Sequence, residues 1–292
     1  MKTAIILGGG PAGCQCALWL TQLGYPTLIV EESDHLGGLQ AMSPYTNNWL
    51  VGIMHQTGKA LAHHMEEHIR HMDIPVLFQS SITSLTLQPN GLTVTIKKNP
   101  METKYLVIAT GVKSRHSELV ASNHVLVGPG QNVFNYDFKS KRVAILGGGD
   151  NAAENYAFIK SKQPKLCHIY ARTIRARKNL WKDVDLNDVY SFPEKINQDA
   201  LTMTHQETIR HYDVFVVMYG WEANFPQGLI HLEQQLLDER GFIMTDETCQ
   251  TPIPRIYAIG EVANRMHPCV ATALADGVVA AKAIQATMEK SH

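Results

Sequence analysis

"TAIILGGGPAGCQCALWLTQLGYPTLIVE", residues 3 to 31, reads as a buried strand, a glycine turn, a helix and a second strand. Gly8, Gly10 and Gly13 stand at the G-x-G-x-x-G spacing. In that pattern the first glycine makes a tight turn, the second lets the backbone approach a pyrophosphate, and the third lets the helix pack close to the strand. Ala17 and Leu20 fall on the inner face of the helix, Gly24 ends it, and Glu31 closes the second strand. A carboxylate there accepts hydrogen bonds from a ribose diol and repels a 2'-phosphate. The glycine spacing alone is weak, but within a complete βαβ unit it predicts a dinucleotide site.

The same device occurs again in "KRVAILGGGDNAAENYAFI", residues 141 to 159, with Gly147, Gly149 and Ala152 at the three positions. Alanine is a permitted third residue. The strand that follows, "KLCHIY", does not end in an acid but runs into "ARTIRARK", with Arg172, Arg175, Arg177 and Lys178. Guanidinium groups match a phosphate, so this second site suits NADPH better than NADH. A solvated basic loop is the alternative. Two dinucleotide sites in one chain point to a flavoenzyme with one resident and one exchanging cofactor.

Between the two turns, "SITSLTLQPNGLTVTIKKNPMETKYLVIATG" predicts a hairpin around Asn90-Gly91, with Leu85, Leu87, Leu92, Val94 and Ile96 on one face. A buried strand follows and ends at Ala109, Thr110 and Gly111. Toward the end of the sequence, "TPIPRIYAIGEVANRMHPCVATALADGVVAAKAI" predicts a strand, a turn at Gly260-Glu261 and an alanine-rich helix whose amides can meet a phosphate or a carbonyl oxygen.

The bulk composition narrows the function. A chain of 292 residues with 45% hydrophobic content can bury a full core and has the length of about two domains. Its 26 basic and 27 acidic residues nearly cancel, which removes the electrostatic reason to expect a nucleic acid or a membrane surface as partner. No apolar run approaches the roughly 20 residues of a membrane span, and the strand-like start leaves no room for a signal peptide, so the expectation is a cytoplasmic protein. Five irregularly spaced cysteines fit a reducing compartment better than a disulfide framework. Cys14 and Cys16 form a CxC on the inferred helix, where residues two apart face differently and do not bridge easily.

In order along the chain, the first glycine motif with Glu31, "GGLQ", "NNWLVG", "ATG", "GGGDNAAE", "DVFVVMYG" and "TPIPRIYAIGEV" resemble the low-molecular-weight thioredoxin reductase family of FAD-dependent pyridine nucleotide oxidoreductases. The resemblance covers nearly the whole chain. It implies an α/β fold of two Rossmann-like, glutathione-reductase-type domains, each with a parallel sheet, helices and a small antiparallel layer. The FAD domain would be discontinuous, residues 1–112 and 241–292, with a shortened NAD(P)H domain at 113–240. A homodimer is the family's usual state.

Carried onto this sequence, the resemblance gives FAD the residues Gly8, Gly10, Gly13, Glu31, Ala109 and Gly111. It places Gly38, Gln40 and Asn48 along the ribityl chain and flavin, and Ile82 at the adenine. Gly260 and Glu261 would face the pyrophosphate and ribitol, with Cys269 and Val270 beginning the helix beneath the flavin. Gly147, Gly149, Ala152, Arg172 and Arg175 would hold NADPH. Three positions depart from the family: "GGLQ" displaces the usual glutamine, Glu261 replaces an aspartate, and Pro268-Cys269 replaces Arg-Gln.

The largest departure is chemical. Redox-active members carry a CxxC just ahead of the second glycine motif; here that segment is "GQNV", Gly130 to Val133, and no cysteine occurs from residue 17 to 166. The expectation is an enzyme that passes electrons from flavin to an external acceptor, such as ferredoxin or flavodoxin, a quinone or a small molecule. Alternatives are a flavin disulfide reductase that uses an external donor or Cys269, and a non-catalytic FAD-binding sensor or interaction protein. His64, His68 and His71 on a helical segment have metal-ligand spacing, but no carboxylate or cysteine cluster completes a metal site.

Overall fold

The computed structural model describes residues 2–290. Two units emerge, one formed by residues 1–112 with 222–292 and the other by 113–221.

The first unit opens with strand β1 (Lys2–Leu7), helix α1 (Pro11–Gln22) and strand β2 (Thr27–Val30). Helix α2 (Gly58–His71) follows, started by Thr57, whose hydroxyl accepts from the Ala60 amide at 3.1 Å. Next come β3 (Val76–Leu77), β4 (Ile82–Gln88), β5 (Gly91–Ile96), β6 (Asn99–Ile108) and β7 (Val112–Ser114) at the crossing. The hairpin turns at the expected Asn90, and Gln88 pairs with Gly91. Leu87 departs from the expected apolar face and is 52% exposed, whereas Leu85, Leu92, Val94 and Ile96 are buried. The three rings of His64, His68 and His71 lie on the exposed side of α2.

The second unit contains β8 (Val125–Val127), the short α3 (Gln131–Phe134), β9 (Arg142–Leu146), α4 (Asp150–Ser161) and β10 (Leu166–Ala171). It continues through α5 (Lys178–Trp181), β11 (Val189–Ser191), β12 (Lys195–Asn197), β13 (Thr202–His205), β14 (Thr208–His211) and β15 (Val214–Val217). Its parallel sheet runs β11-β10-β9-β15-β8, with β12, β13 and β14 as a separate antiparallel sheet. The sequence predicts one short hairpin here. Three strands form instead, because the alternation in Thr202–His205 buries Met203 and His205 and pairs both edges.

After β16 (Trp221–Ala223) the chain builds the first unit again, through α6 (Glu233–Leu236), β17 (Ile256–Ala258) and α7 (Val270–Lys290). The main sheet runs β3-β2-β1-β6-β5-β4, and β17 also pairs with β6. The long β6 makes this possible: its first half pairs antiparallel with β5, and Leu106 to Ile108 pair parallel with β17. Both faces of the sheet are buried. Ala4 and Ile6 face α1 and α7, while Ile5 and Leu7 face the hairpin side.

The return into this unit falls at Glu222, not at the expected 241. Leu229, Leu232 and Leu236 are the cause, since they are buried in one cluster with Leu85, Leu92 and Val94 of the hairpin. Gly228 sits against the backbone carbonyl of Ile82, where a Cβ would collide.

Candidate functional site

In the first unit the glycine turn is fixed by contacts that permit no other residue at two of its three positions. Gly8 has φ +102°, and a Cβ there would meet the carbonyl oxygen of Ala109; a Cβ on Gly13 would meet that of Gly8. Gly10 is different, with only the Gly38 Cα at 3.9 Å from where its Cβ would stand. It borders a cavity of about 490 Å³, into which the α1 amide end opens. Pro11, at the first helical position, removes one donor that the helix could not have paired.

Eleven of the expected FAD residues line this one cavity: Gly8, Gly10, Glu31, Gly38, Gln40, Ala109, Gly111, Gly260, Glu261, Cys269 and Val270. They come from segments far apart in sequence, joined by the pairing of β1, β6 and β17. Gly13 lies behind the turn as a packing residue. Ile82 borders a small annex of about 60 Å³ together with Gly8, Glu31 and Thr110. Asn48 is exposed and outside the cavity; its neighbour Asn47 donates weakly to Gln40 Oε1 at 3.5 Å.

The Glu31 carboxylate is oriented by backbone donors, accepting from the Gly9 amide at 2.6 Å and the Ser33 amide at 2.8 Å. Each oxygen keeps capacity for a ligand hydroxyl. Across the cavity, burial raises the pKa of Glu261. The turn that carries it is held from below by Asp276, 2% exposed, which accepts from the Gly260 amide at 3.0 Å. Burial raises the Asp276 pKa, opposed by that amide and by Arg265, 3.6 Å away. Asp276 carries no signal of its own in the sequence, where it is one more position on an alanine-rich helix.

Cys269 also borders the cavity, just before α7. Burial pushes its thiol up, but hydrogen bonds from the Thr272 side chain and from the amides of Thr272 and Ala271 leave it below the ordinary value. The other four cysteines are buried. Burial pushes Cys14 up to about 12, and its Sγ donates to the Gly9 carbonyl at 3.1 Å. Cys16 and Cys167 are raised by burial as well.

The second unit has its own cavity, of about 790 Å³, lined by Gly147, Arg172 and Arg175 among others. A Cβ on Gly147 would meet the Met218 carbonyl, and Ala152 is fully buried on the inner face of α4. Gly149 caps α4, with open space where a Cβ would stand. The basic run divides. The Arg172 guanidinium lies over the Phe192 ring at 4.7 Å, at the cavity. Arg177 is turned to Asp150, donating from Nε at 2.7 Å and from its amide at 2.8 Å. Phe192 and Tyr219 complete the wall and carried no signal in the sequence beyond being aromatic.

At the segment where relatives in the resemblance carry a CxxC, Gly130 precedes α3 and Val133 is fully buried in the core of the second unit.

Two units, each with a parallel sheet, a glycine turn opening a helix and a cavity at that turn, define an oxidoreductase that couples two dinucleotides. The residues of the first cavity fit FAD: glycines leave room for a pyrophosphate, a helix start offers amides, and an oriented carboxylate awaits a diol. Residues 2–277 match the pyridine nucleotide-disulphide oxidoreductase family, and the chain belongs to it. It is a flavin-dependent NAD(P)H oxidoreductase related to the thioredoxin reductases, whose members bind FAD and NADPH.

A "34.2 kDa protein in rubredoxin operon" of Clostridium pasteurianum is 26% identical over 299 residues, covering 95% of this chain and 94% of that protein. A ferredoxin–NADP reductase of Limosilactobacillus fermentum is 25% identical over 279 residues, covering 88% and 84%. The Lactococcus lactis thioredoxin reductase structure (FR conformation) superimposes with a TM-score of 0.83 at 21% identity, covering 98% of each chain. Among the described residues no helix is long and apolar enough to cross a membrane.

Proposed function

We propose that this chain oxidises NADPH and delivers the electrons to an acceptor outside the polypeptide, with a small redox protein such as ferredoxin or flavodoxin as the leading class. The observation that carries the reading is Val133, a fully buried aliphatic side chain where an internal dithiol would need a reactive sulfur. The ferredoxin–NADP reductase and rubredoxin-operon relatives support a protein acceptor.

Bound FAD supplies the two-electron carrier that connects a hydride donor to an acceptor able to take electrons singly or in pairs. The chain's own residues bind and orient. Gly8 and Gly10 admit the FAD pyrophosphate to the start of α1, Glu31 accepts from the adenosine ribose, and the Gly260-Glu261 turn, held by Asp276, closes the far side. In the second unit Gly147 and the start of α4 take the NADPH pyrophosphate, while Arg172 and Arg175 select its 2'-phosphate. The chain acts as a homodimer on this reading.

Anaerobic rapid mixing tests the proposal. NADPH should bleach the visible absorbance of the FAD-loaded protein within the mixing experiment, and added ferredoxin or flavodoxin should restore it. Failure of both NADPH and NADH to bleach the flavin sinks the proposal. A small-disulfide acceptor is favoured by one observation, the position of Cys269, the one partly exposed cysteine, at the cavity edge. Disulfide-dependent NADPH oxidation that vanishes in Cys269→Ser would establish that second reading.

A further inference from the structure

The Gly260-Glu261 turn rests on a buried carboxylate, and that carboxylate has a charged partner to which no motif gives a role. Asp276, on α7, has a side chain 3% exposed, and its Oδ2 accepts from the Gly260 amide. Its backbone has little room to move, because a Cβ on the next residue, Gly277, would meet the Ala12 carbonyl and the Cys16 amide of α1. The other oxygen, Oδ1, lies 3.6 Å from Arg265 Nη1. Two further contacts seat that guanidinium, which donates from Nη1 to Cys249 Sγ at 2.6 Å and from Nη2 to the Glu247 carbonyl at 3.3 Å. Cys249 is fully buried at φ +67°, a left-handed backbone that a cysteine keeps only where its surroundings impose it. Its Sγ is 3.9 Å from Asp276 Oδ1, so thiol, guanidinium and carboxylate form one cluster.

A buried carboxylate favours its neutral form unless a cation or a donor stabilises the anion, and the anion is the stronger acceptor for a backbone amide. Arg265 is the cation that faces Asp276; the Cys249 thiol lies beside both, and the charge of Asp246 acts on Arg265 and Cys249. We infer that Arg265 is a positioning residue for the flavin cavity: paired with the Asp276 carboxylate, it holds that carboxylate on the Gly260 amide and so fixes the turn that presents Glu261. Gly260 and Glu261 border the cavity, whereas Arg265 is not among the residues that do. It acts through Asp276, as a partner that keeps the acceptor charged and in place. This rests on the reading that the first cavity holds FAD.

Fluorescence titration of the full-length apoprotein with FAD at pH 8 and at pH 6 tests the inference. Without the guanidinium, Asp276 is left alone in a buried place, takes up a proton as the pH falls and loosens its hold on Gly260. Wild type should show nearly the same Kd at both pH values, while Arg265→Gln should lose roughly tenfold in affinity from pH 8 to pH 6. Arg265→Lys should restore the flat profile. Asp276→Asn keeps an acceptor for Gly260 and cannot titrate, so adding Arg265→Gln to it should change FAD affinity by no more than about twofold. If Arg265→Gln weakens FAD equally at both pH values, or costs as much in the Asp276→Asn background as in wild type, Arg265 only fills space and the inference fails. Should Arg265→Gln not fold, the double variant decides: one that folds and binds FAD supports the inference, and one that does not overturns it. Wild-type protein that binds no FAD at either pH would remove the underlying reading, a result separate from the variants.

Discussion

Single residues in the two glycine turns have separable duties, and substitution should separate them. Gly13→Ala places a methyl against the Gly8 carbonyl, so the turn or α1 must shift. We expect it to destabilise the first unit by about 2–3 kcal/mol, read as a lowered denaturation midpoint. Gly10→Ala meets only the Gly38 Cα at 3.9 Å, so it should fold normally and lose FAD affinity, measured by flavin retention through dialysis. In the second unit, Arg172→Ala should raise the KM for NADPH some 10- to 100-fold, the range of a hydrogen bond to a charged group, and leave the KM for NADH nearly unchanged. Cys269, alone among the five cysteines in being partly exposed, should be alkylated first, and FAD should slow the reaction; peptide mass spectrometry reads both.

At the scale of elements, strand ends are tied by pairs that depend on pH. Asp213, just before β15, accepts from Arg142 Nη2 at 2.8 Å and from the Arg142 amide at 2.7 Å, at the start of β9. The Arg142 guanidinium holds the Asp213 carboxyl down to about 2, against an ordinary 3.8. The stability this pair contributes is therefore complete above about pH 4 and is lost as the pH falls toward 2. The pair is partly exposed, so its contribution is small. Asp213→Asn should lower the urea midpoint slightly at pH 7 and flatten its decline between pH 4 and 2. Elements also show where sequence reading succeeds. The glycine turns, Glu31 and the Asn90 hairpin are local: each is written in a few consecutive residues whose backbone or periodicity demands one geometry. Asp276 and Phe192 are not local. Each acquires its place when distant strands pair, and nothing beside it in the chain announces that. Asn47, not Asn48, meets Gln40 for a similar reason, since irregular backbone carries no periodicity to say which of two neighbours faces in.

For the whole molecule, the unit boundary at 221 carries a direct test. A fragment of residues 113–221 holds a complete parallel sheet with its own core and should unfold cooperatively, followed by circular dichroism. Extending it to 240 adds Phe225, Leu229, Leu232 and Leu236 without the hairpin they pack on, so that longer fragment should aggregate and gain no stability. The sequence placed the boundary later because the second of its two glycine motifs has no matching signal for where its unit stops. The order of strands has a further consequence, one of timing. The Leu106 to Ile108 half of β6 is left without its neighbour on one side until residues 256–258 are translated, while everything the second unit needs has been made by residue 221. On the ribosome the inserted unit can thus mature first, and the nascent chain must shelter an unfinished sheet edge until its late segment emerges. A cofactor supplied during synthesis would find the nicotinamide site ready before the flavin site exists.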